Sequence, residues 1–337
     1  MNATARPIAE AATMLADRLG TRLGRRVPLA PMTTYRVGGP AEMFVAVGEL
    51  SDLVAVAEVR AATGVPVLVI GRGSNTLVAD GGFAGVVVSV ADFADHIELP
   101  EPSVVDAASG GGGDVEVVAG GGAALPVVAR RTAAAGLRGF EWAVGVPGSV
   151  GGAVRMNAGG HGSDMAQCLI DVTVFDLDTA SLSTLALDRL GLRFRASSLA
   201  PSLLVIDARL RLVPGDREAA EAEIAEIVRW RREHQPGGQN CGSVFVNPVP
   251  GEVTAGGLID GLGLRGFRIG SAWVSEKHAN FVQAGDGGSA ADVRAVIEAV
   301  RAQVADATGY RLRSEVRLVG FDDADPSSFA EVEVETR

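Results

Sequence analysis

The chain contains little lysine, cysteine or aromatic side chain. Lys277 is the only lysine among 30 basic residues, cysteine occurs twice, and Phe, Trp and Tyr make up 5% of 337 residues. Two cysteines cannot build a disulfide framework, and Cys168 and Cys241 have no metal-ligand spacing to any of the four histidines. We therefore expect two buried thiols, no metal site and a reducing, cytoplasmic setting.

Long apolar runs and basic clusters are also missing from the sequence. No apolar run approaches the roughly 18 residues that span a bilayer. Residues 1–20 are typical of an alanine-rich amphipathic helix with charges of both signs, which argues against a signal peptide. The formal net charge of −11 and the absence of a basic run argue against a nucleic-acid partner. We expect a protein that neither inserts into membranes nor binds nucleic acid.

Glycine is in excess, with 44 residues in the chain. The rest of the composition, with 47% hydrophobic and 21% charged residues, is typical of globular proteins. The glycines cluster at 110–113, 120–122 and 145–152 without a repeating period. Such local clusters indicate tight turns or close approach of backbone to another group. The length favours more than one domain.

Hydrophobic periodicity predicts alternating helices and strands. Helices are expected at 52–62 with Ser51 as N-cap, at 123–135, at 217–232, and at 290–307 behind a capping box of Ser289 and Asp292. Strands are expected at 65–70, 77–79, 86–90, 114–118, 171–176, 203–212, 280–283 and 315–319, with 192–198 in a loop.

Two glycine-rich stretches carry the strongest functional signal. GRGSNT at 71–76 follows a predicted strand and can turn several backbone N–H groups toward one anion, and residues 145–160 contain six glycines. Taken alone, the first is equally typical of an ordinary turn. Neither matches the Rossmann or P-loop pattern. Together they favour a large dinucleotide held by its pyrophosphate, and a flavin fits better than a nicotinamide.

Seven motifs in order resemble one family, the UDP-N-acetylenolpyruvoylglucosamine reductases of bacterial peptidoglycan synthesis. The motifs are TTYRVGGPAEMFV (33–45), VLVIGRGSNTLV (67–78), GVPGSVGGAVRMNAGGHG (145–162), RFRASS (193–198), QPGGQNCGSVFVNP (235–248), AGGLIDGLGLRGFRIGSAWVSEKHANFV (255–282) and RLRSEVRLVG (311–320). The short step from the strand at 203–212 to the next helix leaves no room for the inserted loop of the longer class. The chain therefore resembles the shorter, second class.

The resemblance implies an α+β protein. It would have a two-subdomain FAD-binding fold of the vanillyl-alcohol-oxidase type at 1–90 and 91–214, a smaller α/β substrate domain at 215–325, and an acidic tail at 326–337. The implied activity is that of a UDP-N-acetylmuramate dehydrogenase. NADPH would reduce FAD, and the enolpyruvyl group of UDP-N-acetylglucosamine enolpyruvate would then be reduced to give UDP-N-acetylmuramate. We expect a cytoplasmic monomer.

The resemblance also implies three catalytic residues. Ser243 matches the family's proton donor, and Arg195 and Glu315 match the residues that steady the enolate-like intermediate. Arg195 would hold the substrate carboxylate through its planar guanidinium, and Glu315 would act as an acid partner at the enol oxygen. Without the resemblance, Ser243 is more typical of a turn. An arginine or a glutamate is then more typical of a solvated surface position.

Cofactor and substrate residues follow from the same motifs. FAD is expected to bind without a covalent bond, because no histidine lies between residues 64 and 95, where some relatives attach it. The expected cofactor residues are Gly71, Arg72, Gly73, Ser74, Asn75, Ser149, Gly151, Gly152 and Asn157. The expected substrate residues are His234, Asn247, Ser275, His278 and Asn280. His278 is equally compatible with a core histidine.

Three positions depart from the family's pattern. Phe194 replaces a tyrosine, Val246 replaces a lysine, and His234 stands where a lysine often meets the substrate's phosphates. These changes bear on substrate affinity more than on chemistry. Two rival functions are an FAD-linked oxidase of the same fold that acts on a small alcohol or sugar, and an inactive paralogue that only binds UDP-sugar or flavin.

Overall fold

The computed structural model describes residues 5–111 and 113–321 of the chain, and the acidic tail predicted at 326–337 lies outside them. The chain forms two compact units. The first comprises Met1–Arg25, Met43–Arg72 and Gly85–Arg231, and the second comprises Arg26–Glu42, Gly73–Ala84 and Arg232–Arg337. Two short segments from the N-terminal third thus belong with the C-terminal residues. The domain boundaries that the sequence suggested remain a prediction.

Helices form where apolar residues recur at helical spacing behind a capping side chain. Ser289 caps the longest helix, where its Oγ accepts from the Ala291 N–H at 3.1 Å. The helices of the described residues are α1 Ala5–Leu19, α2 Leu50–Thr63, α3 Pro102–Gly111, α4 Leu125–Ala134, α5 Val150–Met156, α6 Met165–Cys168, α7 Arg217–His234, α8 Ala255–Gly261 and α9 Ala290–Thr308.

The strands of the described residues are β1 Leu23–Pro28, β2 Pro40–Ala46, β3 Val67–Ile70, β4 Thr76–Val78, β5 Phe83–Ser89, β6 Ile97–Glu98, β7 Val115–Gly120, β8 Leu137–Arg138, β9 Gly159–Gly160, β10 Ser163–Asp164, β11 Leu169–Asp176, β12 Ser181–Ala186, β13 Leu203–Pro214, β14 Arg268–Ile269, β15 Ala272–Val274, β16 Val282–Ala284 and β17 Arg317–Val319. One sheet has the order β1-β2-β5-β3. A larger sheet has the order β12-β11-β13-β7-β6, and β8 also pairs with β13.

In the second unit, β14, β15 and β16 form an antiparallel sheet, while β4 pairs in parallel with β17. Gly38 packs closely against β4. A Cβ on Gly38 would lie 2.3 Å from the carbonyl oxygen of Val78, and the φ of Gly38 is +106°. Only glycine satisfies both conditions. The glycine of the TYRVGG motif is therefore required by the fold itself.

Three apolar clusters form the interior. In the first unit, one lies under β7, β11 and β13 around Phe140 and Leu210, and another lies between α1, α2 and the sheet around Leu15 and Leu53. The cluster of the second unit packs α9 against β15 and β16. The mixed helices and strands agree with the expected α+β class. Both cysteines are buried, as expected.

The predicted N-cap Ser51 was wrong, and the predicted capping box at Ser289 is only half formed. Helix α2 begins at Leu50, before Ser51, because the Asp52 carboxylate accepts from the N–H groups of Gly48 at 2.9 Å and Glu49 at 3.2 Å. The capping box at α9 is also incomplete, since Asp292 directs its carboxylate to the Ser271 N–H and hydroxyl at 2.8 and 2.7 Å. At α2 the N-cap is Glu49, which forms a capping box with Asp52, whereas at α9 the Asp292 carboxylate reaches donors on a different segment.

Within residues 5–111 and 113–321, no helix combines the length and the hydropathy needed to cross a membrane. The same residues contain no group of three or more His, Cys, Asp or Glu side chains that could hold a metal ion.

Asp80 stabilises the start of α9. Its carboxylate accepts from the Ser289 hydroxyl at 2.8 Å and from the N–H groups of Ala290 at 2.8 Å and Ala291 at 3.0 Å. We predict that Asp80→Ala lowers the free energy of unfolding of the unit that contains α9 by about 1 kcal/mol, a typical loss on removing a cap. Urea titration measures it. Asp306→Ala, at the opposite end of the same helix, is the control and should be neutral. Equal effects of both variants would contradict the capping role.

Candidate active site

Ser243 and Glu315 lie on two segments that pair in the second unit. The Glu315 N–H donates to the carbonyl oxygen of Val244 at 2.8 Å, and the Val246 N–H donates to the Arg313 carbonyl at 3.0 Å. Phe245 and Ser314 form the antiparallel bridge between these bonds. The backbone thus places the predicted acid partner in a short two-stranded ladder opposite Val244, and the predicted proton donor Ser243 directly before Val244.

Asn280 holds the segment that carries Ser243. Its Oδ1 accepts from the Phe245 N–H at 3.0 Å, its Nδ2 donates to the Phe245 carbonyl at 2.8 Å, and its own carbonyl accepts from Val244 at 2.9 Å. Asn280 is 4% exposed. Its amide therefore pairs with Phe245 as a neighbouring peptide would. In the structure Asn280 supports the segment that carries Ser243. Its contact with substrate remains a prediction.

Asn75 holds the other segment. Its Nδ2 donates to the Glu315 carbonyl at 2.7 Å, and its carbonyl accepts from the Arg317 N–H at 2.9 Å. These two bonds extend the parallel pairing of β4 with β17 by one step beyond Thr76. Asn75 thereby links the GRGSN motif (residues 71–75) to Glu315, the predicted acid partner.

The GRGSN loop offers main-chain donors. Among the described residues, the N–H groups of Arg72, Gly73 and Ser74 have no protein acceptor. Gly73 has a φ of +56°, and a Cβ there would lie 2.2 Å from the Met32 carbonyl oxygen. Successive free N–H groups around a left-handed glycine form a typical anion-binding concavity. This arrangement fits a pyrophosphate such as that of FAD.

The second glycine-rich stretch includes helix α5 and meets the same loop at Gly71. Ser149 is the N-cap of α5, with its Oγ accepting from the Gly152 N–H at 3.4 Å. A Cβ on Gly71 would lie 2.4 Å from that Oγ. The Gly151 N–H donates to the Gly121 carbonyl at 2.8 Å, and the cofactor contact predicted for Gly151 remains a prediction. Gly71 and Gly152 are exposed.

Arg195 lies in the first unit, at the second central position of a two-residue turn. Arg193 and Ala196 exchange two backbone hydrogen bonds of 3.0 Å across this turn. The Arg195 guanidinium donates to the carbonyls of Asn157 at 3.4 Å and Gly159 at 2.8 Å, and lies 4.9 Å from the Phe194 ring centroid. The Phe194 ring therefore makes a cation–π contact with the arginine.

Two of the remaining predicted substrate residues, Asn247 and Ser275, make backbone contacts. Asn247 accepts from the Ala255 N–H at 3.1 Å, at the start of α8. Ser275, 1% exposed, accepts from the N–H groups of Lys277 and His278. His234 is exposed at the last residue of α7. Substrate contacts of these residues remain predictions.

Burial lowers the pKa of His278, and the nearby Arg265 guanidinium lowers it further. The Nδ1 atom accepts from the Asn280 N–H at 3.2 Å, which suits a neutral ring. The imidazole packs edge-on against Phe281 with centroids 4.7 Å apart. The lowered pKa favours the uncharged imidazole at neutral pH, and both interpretations of His278, substrate contact and core histidine, remain predictions.

Burial sets the protonation of two further groups beside the Ser243 segment. It raises the pKa of Cys241 to about 12 and, aided by the neighbouring Cys241, raises the pKa of Tyr35 well above its ordinary value. Cys168, in the first unit, is raised to about 12 mainly by burial as well. All three are neutral at physiological pH.

Sequence reasoning missed Arg155. This residue of α5 donates to the carbonyls of Leu199 at 3.2 Å, Ala200 at 3.2 Å and Leu203 at 2.5 Å. An arginine between apolar residues inside a glycine-rich motif was the available signal. Its guanidinium fastens the chain that follows the Arg195 turn to the helix that carries the second glycine-rich motif.

The structure distributes the predicted site residues over both units. The first unit holds Gly71, Arg72, Ser149, Gly151, Gly152, Asn157 and Arg195, and the second holds Gly73, Ser74, Asn75, His234, Ser243, Asn247, Ser275, His278, Asn280 and Glu315.

Comparison with known proteins gives consistent matches along the chain. Residues 41–184 match a family model for an FAD binding domain, and residues 234–319 match the C-terminal domain of UDP-N-acetylenolpyruvoylglucosamine reductase. Relatives named UDP-N-acetylenolpyruvoylglucosamine reductase include one from Synechococcus sp. (strain WH7803), 40% identical over 90% of this chain and 95% of its own. Another, from Heliobacterium modesticaldum, is 41% identical over 87% of this chain and 89% of its own.

A solved structure is also similar. The crystal structure of UDP-N-acetylenolpyruvylglucosamine reductase from Thermus caldophilus superposes with a TM-score of 0.72 at 32% identity, covering 88% of this chain and 99% of that one. Sequence and fold therefore agree over nearly the whole length.

The buried thiols give a pH-dependent prediction. Thiolate is the reactive form, and with a pKa of about 12 only about 10⁻⁴ of each thiol is ionised near pH 8. We expect the native protein to resist Ellman's reagent near that pH, with reaction increasing as the pH rises toward the pKa. In concentrated urea both thiols should react. Rapid stoichiometric labelling of the native protein would contradict the assigned burial.

The contact between Gly71 and Ser149 gives a second prediction. Gly71→Ala forces the Ser149 hydroxyl to turn, so we expect the dissociation constant for FAD to rise about tenfold, as for other overpacked sites. In a Ser149→Ala background the nearest atom is Cβ at 3.4 Å, and Gly71→Ala should add little. Flavin absorbance per polypeptide after gel filtration measures retention. Gly81→Ala, with nothing within 4 Å, is the control. Additive losses in the double variant would refute the contact.

Proposed function

The chain belongs to the UDP-N-acetylenolpyruvoylglucosamine reductase family, and on this premise we propose how its own residues carry out the family's reaction. It is a flavin-dependent oxidoreductase that reduces UDP-N-acetylglucosamine enolpyruvate in peptidoglycan synthesis. We propose that NADPH is the reductant, that the product is UDP-N-acetylmuramate, and that Arg195, Ser243 and Glu315 act on the enolpyruvyl group.

FAD, when bound, supplies hydride-transfer chemistry between the reductant and the enolpyruvyl double bond. The free N–H groups of Arg72, Gly73 and Ser74 support a pyrophosphate site in the GRGSN loop. Gly71 and Gly152 are exposed and have no side chain to obstruct a ligand. We propose that these residues hold FAD without a covalent bond.

Arg195 binds the carboxylate of the enolpyruvyl group. A guanidinium presents parallel donors that match a carboxylate, and its fixed charge offsets the negative charge that develops when the double bond accepts hydride. Two backbone carbonyls and the Phe194 ring fix the guanidinium before the substrate arrives. Less reorganisation is then needed on binding.

Ser243 donates a proton to the substrate. Hydride addition at the terminal carbon leaves negative charge on the neighbouring carbon and the carboxylate, and that carbon then takes a proton from the Ser243 hydroxyl. A hydroxyl is a weak acid, but it can donate to so basic a carbon when it lies within hydrogen-bond reach. Glu315 acts as the acid partner at the enol oxygen.

The pairing of residues 244–246, which directly follow Ser243, with 313–315 is the observation that carries this assignment. Its hydrogen bonds of 2.8 and 3.0 Å give Ser243 and Glu315 a common rigid support. Asn280 and Asn75 brace the two segments from either side. Ser243 and Glu315 are proposed to act on neighbouring atoms of one substrate. Two such groups must be held in a fixed relative position.

Three further features belong to the proposal. We propose that the protein works as a cytoplasmic monomer, that residues 215–325 contribute a substrate domain, and that His234 contacts the substrate's diphosphate. Val246 cannot replace a lysine's charge. We therefore expect recognition of the diphosphate to rely on fewer cations than the family's pattern provides.

Ser243→Ala separates the two half-reactions. We predict that NADPH still bleaches the flavin absorbance at the wild-type rate, because that step delivers no proton to the enolpyruvyl group. Return of the absorbance on adding UDP-N-acetylglucosamine enolpyruvate should slow by roughly 10²- to 10⁴-fold, as when a positioned acid is removed. Stopped-flow absorbance without oxygen measures both rates. Ser243→Cys, which keeps a donor, should lose less.

Other outcomes would reject the assignment. If both half-reactions slow equally in Ser243→Ala, the residue is structural. If oxygen restores the wild-type flavin absorbance rapidly and the enolpyruvate does not, the protein is an oxidase. If the enolpyruvate binds and nothing restores the absorbance, it is an inactive paralogue.

A further inference from the structure

Asn157 ends helix α5, and its side chain is turned into the protein. The residue is 3% exposed. Its Nδ2 donates to the Arg193 carbonyl at 3.3 Å and to Asp164 Oδ2 at 3.1 Å, while its Oδ1 accepts from the Ala166 N–H at 3.0 Å. Both amide hydrogens and the amide oxygen therefore have partners within the first unit.

The main chain of Asn157 makes a second link to the same turn. Its carbonyl accepts from the Arg195 guanidinium at 3.4 Å, and the Gly159 carbonyl accepts from the other terminal nitrogen at 2.8 Å. The carbonyl can point there because Asn157 has a φ of +39°, a conformation that asparagine tolerates better than most residues. Asn157 thus contacts both the backbone of the turn and its functional side chain.

The turn needs external support. Arg195 has a φ of +54° at the second central position, where turns favour glycine or asparagine. Left-handed backbone at a residue with a long side chain is strained, and persists only when surrounding contacts hold it. Asn157 supplies such a contact at Arg193, the first residue of the turn. Without it, the turn can relax and carry the guanidinium away.

We propose that Asn157 is a positioning residue for Arg195, whose side-chain amide fixes the 193–196 turn so that the guanidinium meets the enolpyruvyl carboxylate. This inference rests on the carboxylate-binding role proposed for Arg195. It gives Asn157 a different task from the FAD contact that the sequence suggested, and the experiment decides between the two.

Helix α5 makes supporting contacts at both of its ends. Its N-cap, Ser149, lies against Gly71 of the GRGSN loop, and its last turn carries Arg155, which holds the carbonyls of Leu199, Ala200 and Leu203. One short helix therefore supports a cofactor loop at its start and both sides of the Arg195 turn at its end.

Asn157→Gly tests the proposal. Glycine keeps the positive φ and removes only the side chain, so that backbone strain is not introduced. In the FAD-loaded protein without NADPH, calorimetry measures binding of UDP-N-acetylglucosamine enolpyruvate and of UDP-N-acetylglucosamine, which lacks the carboxylate. We expect affinity for the first to fall on the order of tenfold, typical of weakening a charged hydrogen bond. Affinity for the second and FAD content should stay unchanged.

Three further variants sharpen the test. His161→Gly is the matched control, because His161 also has a positive φ of +52° nearby in sequence, and it should bind both ligands normally. Asn157→Asp keeps the acceptor for Ala166 but loses the donor to Arg193 and sets a carboxylate beside Asp164, so it should resemble Asn157→Gly. In an Arg195→Ala background, Asn157→Gly should have no additional effect on affinity, because both act through one interaction.

The outcomes distinguish this inference from the proposed function. If Arg195→Ala leaves affinity for the enolpyruvate unchanged, the role proposed for Arg195 fails. If Arg195→Ala weakens binding and Asn157→Gly does not, only the positioning role fails. Loss of FAD in Asn157→Gly, or equal weakening of both ligands, would identify Asn157 as a cofactor or general structural residue and overturn the inference.

Discussion

Buried backbone that is neither helix nor strand must find hydrogen-bond partners elsewhere, and this constraint governs the segments that carry the candidate catalytic residues. Asn280 satisfies Phe245 beside Ser243, Asn75 satisfies the carbonyl of Glu315, and Asn157 satisfies Arg193 beside Arg195. An amide side chain has both a donor and an acceptor, as a peptide group has. Each asparagine therefore does for an irregular segment what a neighbouring strand does for a regular one.

Burial keeps several groups near the Ser243 segment neutral. The thiol of Cys241 and the phenol of Tyr35 are kept protonated by burial, and the His278 imidazole is kept unprotonated mainly by the same cause. Glu315, the proposed acid partner, lies on the paired segment. For the proposed protonation, a weak donor such as the Ser243 hydroxyl is sufficient when its segment is held still.

Long periodic elements could be predicted from the sequence, while the supports of the site could not. Helices α7 and α9 have apolar stripes over four or more turns, and the structure contains both. Helix α5 was missed because glycines at its start have poor helix propensity, and its Ser149 cap and its packing override that preference.

The three asparagines show a second limit of prediction from sequence. Their motifs pointed to ligands, yet their amides bind main-chain atoms as far as 240 residues away, at Glu315 in the case of Asn75. No local pattern reveals a partner that only the folded chain brings near. The same applies to Gly121, where a Cβ would lie 2.1 Å from the Val205 carbonyl, so its cluster reflects backbone packing in addition to any ligand.

The parallel pairing of β4 with β17 has a consequence for how the chain is made. Its partners, Thr76–Val78 and Arg317–Val319, are separated by most of the sequence. Because a ribosome synthesises the chain from its N-terminus, β4 remains unpaired until the more than two hundred residues between it and β17 have been made. The first unit, whose last segment ends at Arg231, can close earlier. Contacts between distant residues also slow folding. Completion of the second unit is thus a late event in the folding of the chain, because β4 lacks its partner strand until β17 has been made.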